Sequence, residues 1–139
     1  MTAPFGARLA TAMDAYGPLC VGIDPHTSLL EAWGLPDDAS GVRSFALTVM
    51  DAVGGRVAAV KPQAAFFEQL GPAGMVVLKS VIDYAAAKGL LVILDGKRND
   101  IGSTAQGYAE GYLGAGTASA WGCDALTVSP YLGDDSLTP

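Results

Sequence analysis

Four short apolar runs recur along the chain at nearly even spacing, and they constrain its fold more than any other feature. The runs are residues 19–23, 57–61, 90–95 and 124–129, and their first residues lie 38, 33 and 34 positions apart. Each run is too short for a helix and rich in aliphatic residues, which is typical of a buried parallel strand. The segments between and before them predict helices at 4–16, 42–53, 72–88 and 103–114. Alternating strands and helices predict an α/β fold with a parallel sheet.

Three α/β architectures have this pattern. A period near 35 residues also occurs in solenoids, but the repeats share no sequence. In a doubly wound open sheet a glycine-rich phosphate loop usually follows a strand, and no such motif is found here. We therefore favour a (β/α)8 (TIM) barrel unit. A closed barrel takes about 250 residues, so a chain of 139 residues is too short to close one.

Composition excludes several classes of protein. Half of the residues are apolar and 16% are charged, as in a globular protein. The net charge of −6 with no basic run argues against an extended nucleic-acid interface. No secretory signal or membrane span is expected, so we predict a cytoplasmic protein. Cys20 and Cys123 lie in or beside predicted buried strands and are expected to be buried free thiols.

The third run leads into a D-x-K-x-x-D motif formed by Asp95, Lys97 and Asp100. Asp95 and Lys97 are two positions apart, so both side chains are expected on one face of the strand, at its carboxyl end. Barrel enzymes carry their catalytic groups at this end. We expect Ser103 to cap the next helix, with Asp100 and Thr104 on one helix face.

Lys97 is predicted to lie between two carboxylates, which would raise its pKa and keep it charged as a proton donor. The predicted charge network comprises Lys61, Asp95, Lys97 and Asp100. Its charges sum to zero, so the network can stay ionised when partly buried. The alternative is a solvated loop with a chance run of charges.

Other strands also end in polar residues. Asp24 and His26 follow the first run, Lys61 ends the second, and Ser129 ends the fourth. Because the carboxyl ends of barrel strands converge on one pocket, these residues are candidates for a shared site. Simpler roles stay open: a turn before Pro25 for Asp24, a strand-end lysine for Lys61 and a loop position for His26. No group has the spacing of metal ligands, so we expect no metal.

Residues 94–105, LDGKRNDIGSTA, closely resemble the signature of orotidine 5′-phosphate decarboxylase. Three further segments are similar to the longer bacterial form of this family, namely 20–26 (CVGIDPH), 60–68 (VKPQAAFFE) and 127–133 (TVSPYLG). The resemblance spans essentially the whole chain, and it covers only the N-terminal half of the family's barrel. It implies that residues 1–139 are the first four βα units, a half-barrel within a single decarboxylase domain.

The resemblance also implies an activity without cofactor or metal: orotidine 5′-monophosphate loses carbon dioxide to give uridine 5′-monophosphate in pyrimidine synthesis. By resemblance, Lys97 protonates the carbanion at ring carbon 6, and Asp95 lies near the substrate carboxylate. Asp24 and Lys61 hold the ribose hydroxyls and the charge network.

Three more residues are implied to act across a subunit boundary: Asp100, Ile101 and Thr104. In the family these residues reach into the active site of a second subunit, with Asp100 counted among the catalytic residues. The resemblance therefore implies a homodimer with shared active sites.

The length of the chain leaves two alternatives to an active decarboxylase. The family's pyrimidine-reading serine and phosphate-binding residues belong to later strands and loops, so we expect an incomplete copy; an inactive half-barrel is one alternative. The other is the sister group of magnesium-dependent sugar-phosphate decarboxylases, which shares D-x-K-x-x-D. Lys61 at the end of the second strand disfavours this sister group.

Overall fold

A computed structural model describes residues 3–114 and 119–139. Within them, four strands form one parallel sheet in the order β1-β2-β3-β4. The strands are β1 (Cys20–Ile23), β2 (Ala59–Pro62), β3 (Leu91–Arg98) and β4 (Ala125–Val128). The predicted parallel α/β arrangement is confirmed. Only β3 is clearly longer than predicted, because it continues past Asp95 through an irregular stretch that pairs again with β4 at Arg98.

In the described part of the chain, six α-helices connect and precede these strands: α1 (Phe5–Tyr16), α2 (Thr27–Ala32), α3 (Ala39–Val53), α4 (Ala65–Glu68), α5 (Gly71–Ala87) and α6 (Gly102–Tyr112). Two 3₁₀ turns, Pro130–Leu132 and Asp134–Leu137, follow β4. The four predicted helices are present, and α2 and α4 are additional short ones. Helix α3 begins three residues before its predicted start because the Asp38 side chain accepts hydrogen bonds from the Ser40 and Gly41 amides.

The core lies between the sheet and helices α3 and α5. Ile23, Val60 and Val92 from the first three strands are fully buried, as are Met50 of α3 and Leu78 of α5. Strand side chains alternate between the two faces of the sheet, and the apolar side chains on one face pack against the helices. The carboxyl ends of the strands remain available for polar groups. No helix in the described ranges is long and apolar enough to cross a membrane.

The two edge strands are less buried than predicted. In β1 only Ile23 is fully buried, and β4 has no fully buried residue. A parallel strand is covered on its lateral side only where a neighbouring strand pairs with it, and β1 and β4 each have one neighbour in the described structure. Consequently the expectation for Cys20 is wrong, since its side chain is exposed. Cys123 is buried as expected, and burial raises the pKa of its thiol to about 12.

The start of α6 also differs from the prediction. The helix begins at Gly102, after Ile101 in an extended conformation, and no side chain among the described residues caps it. Ser103 already lies inside the first turn, two residues after Ile101, which occupies the cap position. Asp100 precedes the helix, so it does not share a helix face with Thr104.

Candidate active site

The irregular stretch of β3 brings the D-x-K segment to the carboxyl end of the sheet. Pairing with β4 passes from Leu94 opposite Leu126 to Arg98 opposite Val128, so residues 95–97 face Thr127 alone. Lys97 sits at φ +47°, the left-handed region that is unfavourable for a residue with a side chain. Such a conformation costs about 1–3 kcal/mol and persists where surrounding contacts enforce it. A strained backbone at a strand end is often found at functional sites.

The Asp95 carboxylate accepts four hydrogen bonds from side chains. Its Oδ2 accepts from Lys61 Nζ at 2.7 Å and from Gln63 Nε2 at 3.0 Å. Its Oδ1 accepts from Lys97 Nζ at 2.6 Å and from Thr127 Oγ1 at 2.9 Å. The donors come from β2, from the residue after β2, from β3 and from β4. Asp95 therefore connects the carboxyl ends of three neighbouring strands.

Burial and charge act on Asp95 in opposite directions. Burial of the side chain, which is 11% exposed, raises its pKa, but hydrogen bonds from Lys61, Lys97 and Thr127 outweigh burial and hold the pKa well below the usual range. For Lys61, burial lowers the pKa, and the opposing interactions with Asp95 and Asp24 give a net rise. Asp95 and Lys61 are thus both charged near neutral pH.

The charge partners of Lys97 differ from the prediction. Lys97 contacts one carboxylate, Asp95, and that carboxylate contacts two ammonium groups. Within the described residues, no ion pair joins Asp100 to Lys97 or Lys61, because Asp100 turns to accept a hydrogen bond from the Ile101 amide at 2.8 Å. The prediction of two carboxylates flanking Lys97 is therefore wrong within a single chain.

Asp24 supplies the second negative charge near the site. It lies close enough to Lys61 to raise the pKa of the lysine. Its Oδ1 atom is buried and, within the described residues, has no hydrogen-bond partner. A buried carboxylate oxygen without a partner is costly unless a ligand supplies the donor. With Asp24 included, the two lysines and two aspartates of the cluster are electrically neutral. Neutrality was predicted for a set with Asp100 in the place of Asp24.

A cavity of about 390 Å³ opens in front of this cluster. Its charged and amide lining comprises Asp24, Gln63, Glu68, Asp95 and Lys97. His26 packs edge-on against Phe66, with ring centroids 4.4 Å apart, and both line the cavity. This volume falls in the range of small-molecule clefts, about 300–1,000 Å³. The sole histidine thus has an aromatic packing contact at the rim.

Arg98 fixes the elements around the site. It forms an ion pair with Glu68 of α4, and its guanidinium donates to the Tyr112 hydroxyl at 3.2 Å. The same group lies 5.9 Å from the ring of Tyr108. One side chain of β3 therefore joins α4 and α6 to the end of the sheet. Ser129 contributes a backbone contact here, since its amide donates to the Arg98 carbonyl at 3.0 Å.

The structure separates the predicted residues into two groups. It brings Asp95, Lys97 and Lys61 into direct contact, with Asp24 nearby. Asp100, Ile101 and Thr104 lie outside this cluster, and Ile101 is 62% exposed.

Sequence reasoning missed Gln63 and Thr127 as members of the cluster. Both side chains are neutral, whereas the predicted charge network consisted of lysines and aspartates. Their position was a usable signal, because each lies at the carboxyl end of a strand adjacent to β3.

Comparison with known proteins gives one consistent result. Residues 17–139 match the family model described as Orotidine 5′-phosphate decarboxylase / HUMPS family. A curated relative from Streptomyces coelicolor, named orotidine 5′-phosphate decarboxylase, is 56% identical over 136 residues, which are 98% of this chain and 48% of the relative.

Solved structures agree with this result. The crystal structure of a Streptomyces avermitilis protein, provisionally named orotidine 5′-phosphate decarboxylase, superposes with a TM-score of 0.92 at 55% identity and covers 98% of this chain and 47% of that one. The structure of Leishmania donovani OMP decarboxylase gives a TM-score of 0.80 at 32% identity, with 99% of this chain and 48% of that chain covered. The chain spans about half the length of the relatives it matches.

Proposed function

The chain belongs to the orotidine 5′-phosphate decarboxylase / HUMPS family, and on this premise we propose that it supplies the proton-donating half of an orotidine 5′-monophosphate decarboxylase site. In this proposal residues 1–139 are the N-terminal half of one barrel domain in a cytoplasmic enzyme of pyrimidine synthesis. The product is uridine 5′-monophosphate, and the reaction uses neither metal nor cofactor. The observation that carries the proposal is the Lys97 ammonium, held 2.6 Å from Asp95 at the edge of the cavity.

The proposed reaction breaks the bond between ring carbon 6 and the substrate carboxylate. Carbon dioxide leaves, the electron pair of that bond stays on carbon 6, and a proton from Lys97 Nζ forms the new C–H bond. A charged lysine suits this step because it releases its proton only to a strongly basic atom. The Asp95 carboxylate, kept ionised by its four donors, would lie near the substrate carboxylate and favour its loss as neutral carbon dioxide.

Asp24 and Lys61 are proposed to bind the ribose hydroxyls. Among the described residues the buried Asp24 Oδ1 has no hydrogen-bond partner, which supports this role because a hydroxyl donor from the sugar would satisfy it. Lys61 is held at the neighbouring strand end by Asp95 and has further donor capacity for the sugar. Both groups lie at the carboxyl end of the sheet beside Lys97.

Asp100, Ile101 and Thr104 are proposed to act in the site of a second copy, so that the active form is a homodimer. Their position outside the cluster of their own chain supports this assignment. Two inactive variants of the complete enzyme, Lys97→Ala and Asp100→Ala, should regain activity when mixed under conditions of subunit exchange. Each mixed dimer would contain one intact site. Mixtures that exchange subunits and stay inactive would show that each site is built within one chain.

A chelator distinguishes the proposed reaction from that of the magnesium-dependent sister group. We expect orotidine 5′-monophosphate turnover by the complete enzyme to be unchanged when EDTA is added. Activity that disappears with EDTA and returns with magnesium would reject the proposed reaction and favour the sister group.

A further inference from the structure

The backbone of Lys97 has an unusual conformation that needs a partner. Among the residues that the structure describes, Lys97 is the only non-glycine residue with positive φ. It lies in the stretch where the pairing between β3 and β4 is interrupted, so its amide has lost the regular ladder partner. Something outside the backbone ladder therefore has to satisfy this amide and keep the chain in the left-handed region.

The Thr127 side chain supplies that partner. Its hydroxyl oxygen accepts a hydrogen bond from the Lys97 amide at 3.0 Å. The same hydroxyl donates to Asp95 Oδ1 at 2.9 Å, the oxygen that also receives Lys97 Nζ at 2.6 Å. A hydroxyl can donate and accept at the same time, and a methyl group in its place can do neither. Thr127 thus holds Lys97 at both ends, directly at its backbone and through Asp95 at its ammonium.

We propose that Thr127 is a positioning residue that sets the backbone conformation of Lys97 and, through Asp95, the location of its ammonium group. The catalytic meaning of this role rests on the proposed function, whereas the effect on the Lys97 backbone does not. The proposed role of Thr127 involves no contact with the substrate or with a reacting atom. It acts through two neighbours, and the hydroxyl rather than the shape of the side chain carries the effect.

Two substitutions separate the hydroxyl from the shape. Thr127→Val keeps the branched shape and removes both hydrogen bonds, and Thr127→Ser keeps the hydroxyl. The matched control is Thr48→Val on α3, where the threonine hydroxyl donates only to the Ser44 carbonyl at 2.8 Å. Amide hydrogen exchange at Lys97, measured in the purified chain with residue-level resolution, reports the proposed contact directly.

In Thr127→Val we expect exchange at Lys97 to accelerate roughly tenfold or more, while amides at 91–94 in the same strand keep their protection. The pKa of the Asp95 carboxyl should also rise, since it loses one donor. Thr127→Ser and Thr48→Val should leave Lys97 exchange within about threefold of the unmodified chain. Unchanged exchange in Thr127→Val, or equal acceleration throughout β3, would overturn the proposal.

If Thr127→Val does not fold, Thr127→Ala replaces it under the same criteria. In a complete enzyme that turns over substrate, Thr127→Val should lower kcat more than it raises KM, because the lysine is misplaced without loss of a substrate contact. The exchange result stands even if no turnover is found, so failure of the proposed reaction and failure of the positioning role give different outcomes.

Discussion

Replacing Asp95 with asparagine tests whether its carboxylate holds the cluster together. Each oxygen of Asp95 faces two donors, so either orientation of an asparagine amide would point an NH₂ group at donors. Lys61 and Lys97 would also lose their shared anion. The substitution keeps the size of the side chain, so any loss of stability reflects charge and hydrogen bonding.

The magnitude follows from the exposure of each partner. Lys61 and Asp95 are 32% and 11% exposed, and a hydrogen bond between charged groups of this kind contributes about 1.5–3 kcal/mol. Lys97 is 62% exposed, so its pair with Asp95 adds less than about 1 kcal/mol. We expect Asp95→Asn to lower the free energy of unfolding by about 2–4 kcal/mol at pH 7.

The pH dependence of this loss has a definite sign. Asp95 has a lowered pKa in the folded state, so its contribution is fully present above its unfolded pKa, near 4, and is lost as the pH falls toward the folded value. Lys61 has a raised pKa, so its share is present below its unfolded pKa, about 10.4, and is lost as the pH rises through the folded value. The difference in free energy of unfolding between the unmodified chain and Asp95→Asn should therefore be constant between about pH 4 and pH 10.4 and should decrease outside this range.

Urea denaturation followed by the fluorescence of Trp33 and Trp121 measures this difference. The control is Asp83→Asn, which breaks the Lys79–Asp83 pair between two exposed side chains on α5 and should cost only about 0.3–0.5 kcal/mol. An Asp95→Asn loss no larger than that of the control, or a loss that grows on acidification, would refute the electrostatic account of the cluster.

Three further predictions concern the backbone, the packing and the assembly of the chain. Both Lys97→Gly and Lys97→Ala lack the ammonium, but glycine tolerates the φ of +47° at this position. Lys97→Gly should therefore be about 1 kcal/mol more stable in urea denaturation; equal stabilities would contradict backbone strain at Lys97. Gly74→Ala should cost about 1–3 kcal/mol, since the added Cβ would lie 1.9 Å from the Phe67 carbonyl oxygen. The control is Gly107→Ala, whose Cβ would meet nothing within 4 Å and which should raise the free energy of unfolding by up to about 1 kcal/mol. A similar gain in Gly74→Ala, measured by thermal unfolding, would contradict the close contact with Phe67. We expect residues 1–139 alone to elute from size-exclusion chromatography as more than a 14.1 kDa monomer, because β1 and β4 each pair with one neighbour in the described structure. We also expect no useful turnover, because the family resemblance assigns the phosphate-binding residues to later strands and loops; an active monomer would contradict both expectations.

The fold and part of the site could be predicted because both depend on local pattern. Apolar runs at even spacing determine the strands, and the two-residue separation of Asp95 and Lys97 places their side chains together. The irregular end of β3 could not be predicted, since neither Gly96 nor Lys97 signals a register shift toward β4 in one sequence. The same limit applies to Thr127, whose role depends on that shift.

The wrong predictions share a physical cause. Placing Asp100 beside Lys97 assumed that a motif close in sequence is close in space within one chain, whereas the Asp100 carboxylate accepts a hydrogen bond from the Ile101 amide. Burial of Cys20 assumed that every strand in the sheet has two neighbours. Both outcomes depend on contacts between distant segments, which periodicity does not report.

The role of Lys97 as proton donor is tested by the rate of orotidine 5′-monophosphate decarboxylation with Lys97 present or replaced by alanine. The chain can be fused to the half of the Streptomyces coelicolor relative that it does not cover, and turnover is measured in the presence of EDTA. We expect turnover by the fusion and a loss of several orders of magnitude in Lys97→Ala, with the fold retained. A folded Lys97→Ala fusion with more than about a tenth of the turnover would contradict it.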